Sequence, residues 1–315
     1  MAGLLSITFP IFALIGLGYL TTARGVFDTA TIRTLGRFVI RIALPALIFN
    51  AVSKRDLAEI FNAGYLLAYL SGSLLVVLAG WLILRRWPGV DRTTRTVCLM
   101  GMSCSNSGFI GYPIVLLTFG SIAGVALALN MMVENLVMIP AILAALEIAS
   151  TPPGGNRLRV GVGVFRRLIR QPLVLALLAA LAFALTGMHL PAPLDRTVGM
   201  VATASAPLSL FVIGGSLVGR PHGGALPLAG VIVAMKLVAH PAAVALMILL
   251  VPHLGIAPPT PILSHAAILM AAVPMMGIFP IIAQAHGREG LASLALLAAV
   301  LTSFVTLTGV LALLR

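Results

Sequence analysis

The sequence predicts an all-α integral membrane protein with ten transmembrane helices, arranged as two inverted five-helix repeats in which helices 4 and 9 are broken and cross. Three observations support this fold class. Of the 315 residues, 60% are hydrophobic and only 9% are charged, which is typical of membrane proteins. Hydrophobic stretches follow one another along nearly the whole chain, and helix-breaking residues interrupt the fourth and the ninth of them.

The ten predicted helices are hydrophobic stretches long enough to cross a bilayer, which requires roughly 20 apolar residues. The second and seventh are the most diluted by polar residues, among them Arg41 and Ser205. The stretches lie near residues 4–22, 35–52, 64–84, 94–117, 121–149, 168–187, 195–218, 226–251, 262–285 and 290–314.

The interruptions read SGFIGYP at residues 107–113 and VPMMGIFP at residues 273–280. Glycine and proline at these positions break a helix at the depth of the bilayer. Because no water is present there, the freed backbone N–H and C=O groups are tolerated only when they are buried in protein or line a cavity. Broken helices are typical of the substrate sites of transporters.

The formal charge of +12 comes from basic residues that alternate from loop to loop and are not clustered with aromatic residues. Nucleic-acid binding is therefore not expected, and the positive-inside rule explains the pattern. The richer set of loops is predicted to be cytoplasmic, which places both termini on the extracytoplasmic side. This set contains Arg24, Arg33, Arg37, Arg41, Arg85, Arg86, Arg92, Arg95, Arg157, Arg159, Arg166, Arg167, Arg170, Arg220 and Arg288, against Lys54, Arg55, Arg196 and Arg315 opposite.

The longest hydrophilic interruption divides the helices five and five. The predicted organisation is a first repeat at 1–150, a cytoplasmic linker at 151–170 and a second repeat at 171–315. When the halves are aligned, ALPALIF at 43–49 matches SAPLSLF at 205–211, GYPI at 111–114 matches IFPI at 278–281, and GSIAG at 120–124 matches GREG at 287–290. An odd number of helices per repeat inverts the second repeat, an architecture that supports alternating access.

Several motifs carry a family resemblance: TFPIF at 8–12 with GLGY at 16–19, ALPALIF at 43–49, SNSGFIGYP at 105–113 and KLVAHP at 236–241. With these motifs, the chain resembles the auxin efflux carrier family over essentially its full length. The resemblance implies a scaffold domain from helices 1, 2, 6 and 7, a transport domain from helices 3–5 and 8–10, and a site where helices 4 and 9 cross. The segment at 273–280 is more similar to malonate and malate carriers, because plant hormone carriers often have Asn where Ile278 stands.

The substrate site is predicted at the crossing. Helix N-termini present unpaired N–H groups and a partial positive charge, which suit a carboxylate. Asn106 adds a donor and an acceptor, although it and the neighbouring serines could instead satisfy freed backbone groups. The candidate substrate-binding residues are Asn106, Ser107, Gly108, Pro113, Pro274, Met275, Met276, Gly277 and Pro280.

Two charged residues lie deep within predicted helices, Glu134 and Lys236, at a cost of roughly 2.5 to 3.5 kcal/mol each on insertion scales. Ser105, Asn106, Asn130 and Glu134 could form an oxygen-rich site for sodium. Alternatively, Glu134 carries a proton, pairs with Lys236, or lies at the lipid interface.

Lys236 and His240 share a helix face at a spacing of four residues and could together attract an anion. The alternative is that Lys236 pairs with Glu134 or extends towards the membrane surface, while His240 bonds a carbonyl freed by Pro241.

Together these features predict a secondary active transporter for a small organic anion, a mono- or dicarboxylate such as malonate or malate, in a bacterial inner membrane. The alternatives are an efflux carrier for auxin or another weak acid, and an anion channel. No enzyme is expected, because the sequence has no His-Glu-x-x-His motif, no Gly-x-Ser-x-Gly elbow and no intramembrane aspartate pair. The expected partners are the anion, membrane lipid and a second copy in a homodimer; no cofactor is expected besides Na⁺ or H⁺ as coupling ion.

Overall fold

The structure, a computed structural model, describes residues 2–54, 61–150, 170–219 and 226–314, with side chains from Phe9 onwards and without that of Ser150. These residues form helices, and the only β pairing among them is an isolated bridge. The α-helices are α1 (Ala2–Ala23), α2 (Thr29–Phe38), α3 (Leu44–Val52), α4 (Ala63–Leu84), α5 (Arg92–Ser103), α6 (Tyr112–Phe119), α7 (Ile122–Val133), α8 (Ile139–Ser150), α9 (Pro172–Thr186), α10 (Ala192–Thr203), α11 (Ser205–Ser216), α12 (Leu226–Ala234), α13 (His240–Leu250), α14 (Pro261–Ala272), α15 (Phe279–Gln284) and α16 (Glu289–Leu313).

Six continuous helical segments in the described part of the chain are long and apolar enough to cross a membrane. They are Thr29–Val52, Ala63–Leu84, Ile122–Ala149, Ala192–Ser216, Leu226–Leu254 and Glu289–Leu313. Shorter apolar helices, at Phe9–Ala23, Ser107–Phe119, Pro172–Thr186 and Pro261–Ala272, occupy the positions of the other four predicted spans. The all-helical membrane class is therefore confirmed, and the count of ten spans stays a prediction.

Four π-helical turns interrupt the helices among the described residues, and each is followed by a proline. The turns are Val39–Ala43, Ser107–Gly111, Glu134–Met138 and Met235–Ala239. The prolines are Pro45, Pro113, Pro140 and Pro241, each the second residue of the next α-helix. Proline has no N–H to donate and its ring clashes with the carbonyl four residues back, and a wider turn accommodates both effects.

One group of helices packs around α11. Helix α1 lies against α11, α2 also contacts α11, and α3 contacts α9 and α10. The contact between α1 and α11 is unusually close because both helices present glycine. A Cβ on Gly18 would collide with the carbonyl of Phe211, and one on Gly214 with the carbonyl of Ile15. Small residues at such contacts let the backbones of apolar helices approach each other.

The remaining helices form a second group, in which α4 packs on α13, α12 on α16, and α14 on both α7 and α13. Gly72 of α4 faces the backbone of Val244 in α13, so a Cβ there would lie only 2.9 Å from it. The two groups meet mainly where α11 packs on the turn Ser107–Gly111 and where α3 packs on α7.

The predicted linker at 151–170 lies outside the described residues except for Arg170, and so do Arg55, Arg157, Arg159, Arg166, Arg167, Arg220 and Arg315 of the charge pattern. Lys54, at the end of α3, forms an ion pair with Asp195 of α10 at 2.6 Å. This pair connects two helices of the first group on the face predicted to be extracytoplasmic.

Candidate functional site

The breaks in the fourth and ninth predicted helices meet in space, but the first break lies at residues 104–106. The segment 107–113, which was predicted to interrupt the helix, is itself helical, because a π-helical turn accommodates Pro113. Helix α5 ends at Ser103 and helical structure resumes at Ser107, while α14 ends at Ala272 and α15 begins at Phe279. Between these ends, Ser105 forms an antiparallel bridge with Met275. The Asn106 N–H donates to the Pro274 carbonyl at 2.8 Å, and the Met276 N–H donates to the Cys104 carbonyl at 3.3 Å. Backbone groups freed by each break therefore satisfy those of the other.

Proline explains the break that follows α14. Pro274 has no N–H, so it can take part in the bridge only through its carbonyl, as it does. The residue before it, Val273, is extended, with φ −71° and ψ 157°, as proline imposes on its predecessor. Cys104 in the other strand is extended as well, with φ −103° and ψ 117°.

Asn106 has a hydrogen-bond donor with no partner. The residue is only 4% exposed, and its backbone carbonyl accepts from the N–H groups of Ile110 and Gly111 at 3.0 Å each. Its side-chain Nδ2, however, has no acceptor among the described residues. An unpartnered buried donor costs about 1 to 3 kcal/mol, so this amide is poised to bind an acceptor that comes from elsewhere.

Gly277 lies opposite this amide. A Cβ at Gly277 would be 3.7 Å from Asn106 Nδ2 and 3.1 Å from Cδ1 of Ile213 in α11. The glycine therefore places no side chain between the Asn106 amide and Ile213 of α11.

The other predicted substrate residues surround the crossing but differ in what their side chains contact. Ser107, Gly108, Pro113, Pro274, Met275, Met276 and Pro280 are all buried, and Gly277 is half-buried. Gly108 faces Leu44 of α3, whose Cδ1 would be 3.1 Å from an added Cβ. The Ser107 hydroxyl points away from Asn106, because it donates to Glu134.

Glu134 is buried at the start of a π-helical turn, with both carboxylate oxygens hydrogen-bonded. Oε1 accepts from the Ser105 N–H at 2.8 Å and from the Tyr69 hydroxyl at 3.0 Å. Oε2 accepts from the Ser107 hydroxyl at 2.9 Å. The carboxylate therefore lies at the N-terminal end of the helical segment that starts at Ser107, where the helix dipole favours a negative charge.

Asn130 completes this side of the network. Its Nδ2 donates to the Ser107 hydroxyl at 2.6 Å, and its Oδ1 accepts from the Tyr65 hydroxyl at 3.3 Å. Of the four residues predicted to gather as an ion or proton site, the structure brings Ser105, Asn130 and Glu134 together. The side chain of Asn106 makes no hydrogen bond to this group.

Lys236 is fully buried in another π-helical turn and uses three hydrogen-bond acceptors. Its Nζ donates to the Ser105 hydroxyl at 2.8 Å and to the Ala271 carbonyl at 2.5 Å, and it lies 3.0 Å from His240 Nδ1. Ala271 is in the last turn of α14, where the break removes the N–H that would otherwise bond its carbonyl. The ammonium therefore neutralises the negative end of this half-helix.

His240 connects Lys236 to helix α4. Its Nε2 lies 2.9 Å from the Ser73 hydroxyl, which itself donates to the Tyr69 carbonyl at 2.8 Å. These contacts fit a neutral ring that accepts from Lys236 at Nδ1 and donates from Nε2. The expectation that His240 would bond a carbonyl freed by Pro241 is not met, since its described partners are Lys236 and Ser73.

Glu134 and Lys236 are connected indirectly. No ion pair of 4.0 Å or less joins them, whereas such pairs do occur at Lys54 with Asp195 and at Arg288 with Asp91. Ser105 stands between the two charges, and Tyr69 links the Ser105 hydroxyl to Glu134 with contacts of 3.0 Å each. Exposures of 4% for Glu134 and 0% for Lys236 are incompatible with the alternative of a lipid-interface position.

Sequence reasoning missed the contribution of helix α4. Tyr65, Tyr69 and Ser73 follow one another at intervals of four residues and so share one helix face. All three side chains are fully buried. Tyr65 donates to Asn130, Tyr69 donates to Glu134, and the Ser73 hydroxyl lies 2.9 Å from His240 Nε2. The signal that could have identified them was this polar stripe on an otherwise apolar helix.

Comparison with known proteins gives a family match and several similar transporters. A family profile described as "Membrane transport protein" matches residues 5–154 and 156–311. A protein of Rhizobium meliloti described as "Putative malonate transporter" is 32% identical over 327 residues, which cover 100% of this chain and 97% of the relative. An uncharacterised transporter of Methanothermobacter thermautotrophicus is 28% identical over 65% of each chain. Another, of Escherichia coli K12, is 25% identical over 65% of this chain and 66% of its own length.

Proposed function

Because the chain belongs to the membrane transport protein family, the auxin efflux carrier family that its motifs resemble, we propose that it is a secondary active transporter of a small organic anion. The substrate class is a mono- or dicarboxylate such as malonate or malate. The observation that carries this proposal is the unpartnered amide of Asn106, which is buried where the two helix breaks cross. The name of the relative from Rhizobium meliloti supports the same class of substrate.

The proposed substrate site lies at the crossing, on the side of Gly277. The Asn106 amide donates to a substrate carboxylate. The N-terminal end of the helical segment from Ser107 already holds the Glu134 carboxylate, so the amide and not this helix dipole is proposed to bind the anion. Met275 and Met276 supply an adaptable apolar wall. Ser107, Gly108, Pro113, Pro274 and Pro280 act through the backbone, because they produce or support the breaks.

Transport is proposed to proceed by alternating access, with the two groups of helices moving relative to each other. The packing of α1, α2, α3, α9, α10 and α11 apart from the remaining helices supports the division into scaffold and transport domains. The proposed inverted repeats are supported by the recurrence, in both halves, of a broken helix followed by a glycine turn, at Gly120 and at Gly287. In a bacterial inner membrane, both termini would then lie on the extracytoplasmic side.

We propose that transport is coupled to a proton in preference to a sodium ion. A sodium site would need the oxygens of Ser105, Asn130 and Glu134 to be free for a metal ion. Instead, Lys236 already supplies a cation to Ser105, and protein donors occupy both oxygens of Glu134. The series of contacts from Lys236 through Ser105 and Tyr69 to Glu134 could pass a proton between the two charged groups.

The test is uptake of labelled malonate by the purified full chain in proteoliposomes. A carrier gives saturable uptake that is accelerated by malonate trapped inside, and Asn106→Ala should reduce it by about tenfold or more, since a lost hydrogen bond to a charged group is worth about 1.5 to 3 kcal/mol. Currents that rise in proportion to voltage without saturation would indicate a channel. Saturable uptake of an auxin in preference to malonate would support the alternative of a weak-acid efflux carrier.

A further inference from the structure

Two serines of α11 carry buried hydroxyls without a partner. Ser205 and Ser209 are both 0% exposed, and neither hydroxyl has a hydrogen-bond partner in the described part of the chain. Serines in apolar helices commonly bond the carbonyl of the preceding turn, as Ser73 does here with Tyr69. Buried polar groups without partners are rare, and each one calls for an explanation.

These hydroxyls lie one and two turns before Ile213, the residue of α11 that reaches the crossing. Ser205, Ser209 and Ile213 follow at intervals of four residues, which places them on one side of the helix. Ile213 of this face reaches Gly277, with its Cδ1 3.1 Å from the position of an added Cβ. Helix α11 also packs on the turn Ser107–Gly111, which follows the first break.

The fold does not require hydroxyls at these positions. In the alignment of the two halves, Ser205 matches Ala43 and Ser209 matches Leu47. Ala43 is 0% exposed and Leu47 is 4% exposed, so the aligned positions are buried in both halves. The first half fills them with apolar side chains, whereas the second half has hydroxyls that no group of the described residues satisfies.

The Asn106 amide faces the same region from the other side, because it lies 3.7 Å from where a Cβ on Gly277 would be. Both groups of helices therefore contain buried donors without a partner among the described residues, the Asn106 amide in one and the two hydroxyls on the Ile213 side of α11 in the other. We propose that Ser205 and Ser209 bind the second carboxylate of a short dicarboxylate whose first carboxylate is bound by Asn106. This inference rests on the proposed function and narrows its substrate class from carboxylates to dicarboxylates.

Hydroxyl donors suit a carrier site. They bond a carboxylate without adding a fixed positive charge, so release of the anion does not leave an unpaired cation in the membrane. A site built to hydrogen-bond a group also discriminates strongly against an analogue that lacks it, because the buried donors then stay unpaired. The closest analogue is monomethyl malonate, which keeps one carboxylate and replaces the second by an ester.

The experiment measures the affinity of the purified full chain in detergent for malonate and for monomethyl malonate, by calorimetric titration. The variant is Ser205→Ala with Ser209→Ala, and the control is Ser293→Ala, which removes another buried unpartnered hydroxyl, located in α16. Wild type and control should bind malonate about tenfold or more tightly than the ester. In the double variant, malonate affinity should fall to that of the ester, and the thermal midpoint without ligand should stay the same or rise, because no satisfied bond is lost.

The outcomes separate this inference from the proposed function. If the double variant binds malonate like wild type while Asn106→Ala does not, the serine assignment is wrong and the carrier site stands. Equal losses for malonate and its ester in the double variant would also overturn it, since the hydroxyls would then serve a carboxylate that both ligands share. If wild type binds no carboxylate and transports none, the proposed function fails, and the inference fails with it.

Discussion

Lys236 and Glu134 bind the same residue from opposite sides. The Lys236 ammonium donates to the Ser105 hydroxyl at 2.8 Å, and the Ser105 N–H donates to Glu134 Oε1, also at 2.8 Å. Ser105 is part of the bridge between the two broken helices, so the pair of buried charges meets at the crossing itself. Each charge also lies at the end of a half-helix whose dipole has the opposite sign, as the Ala271 and Ser107 contacts show.

Removing one of these charges should destabilise the protein more than removing both. Glu134→Gln or Lys236→Met alone leaves an uncompensated buried charge, at a cost of about 3 to 5 kcal/mol, whereas the double variant leaves none. Thermal unfolding in detergent measures the midpoints of the four proteins. The double variant should recover part of the loss of either single variant; strictly additive losses would show that the two charges do not interact through Ser105.

Malonate uptake should be independent of sodium and dependent on a pH gradient. Lys236 already supplies the cation at Ser105, so replacement of sodium by potassium should change the rate little. Glu134→Gln should flatten the dependence on the pH gradient, because the amide cannot exchange a proton, while Glu147→Gln in α8 serves as a control at another glutamate. If Glu134→Gln lowers stability but leaves the pH dependence intact, the network is structural.

Gly277→Ala should weaken malonate binding without unfolding the protein. The added methyl would come within 3.1 Å of Ile213 Cδ1 and 3.7 Å of Asn106 Nδ2, so it narrows access to the amide, while the end of the isoleucine side chain can shift. A reduction of affinity of about tenfold is expected from a contact of this kind. The matched control is Gly309→Ala in α16, where an added Cβ meets nothing within 4 Å. Equal affinities for the two variants would remove Gly277 from the site.

The Asp91 side chain should stabilise the fold at neutral pH and lose this contribution in acid. Hydrogen bonds from the Thr94 side chain and backbone hold the pKa of Asp91 below its ordinary value, with a smaller effect of Arg288, whose Nη2 lies 2.9 Å from Oδ2. A lowered pKa in the folded state means that the stabilisation is present above the unfolded value of about 3.9 and is lost as the pH falls through the folded value.

Asp91→Ala therefore removes both a helix cap and an ion pair at the start of α5. The expected loss is about 1 kcal/mol, because the side chain of Asp91 is 55% exposed and the ion pair is screened by solvent. Asp91→Asn keeps the cap and should lose less. Thermal midpoints at neutral pH and near pH 3 measure both effects, and a difference that persists unchanged in acid would contradict the assignment to the carboxylate.

Much of the candidate site could be predicted from the sequence, because it contains helix-breaking and charged residues, which are uncommon in apolar membrane-spanning stretches. Glycines and prolines within apolar stretches predicted a break in the fourth and in the ninth helix, and Glu134 and Lys236 were the charged residues deep within predicted helices. The partners of these residues could not be predicted in the same way. Tyr65, Tyr69 and Ser73 are polar residues on an ordinary span, and only the packing of α4 against α7 and α13 turns that face inwards.

The sequence by itself determined the membrane class, which two apolar stretches contain a break and the presence of buried charges, because each of these follows from the cost of polar groups in a bilayer. Only the tertiary structure decided which groups meet. It brought Ser105 between Glu134 and Lys236, turned the Ser107 hydroxyl away from Asn106, and left the Asn106 amide unpartnered opposite Gly277. The reason is that hydrogen bonds act over about 3 Å, so partners far apart along the chain are selected by how the helices pack and not by their spacing in sequence.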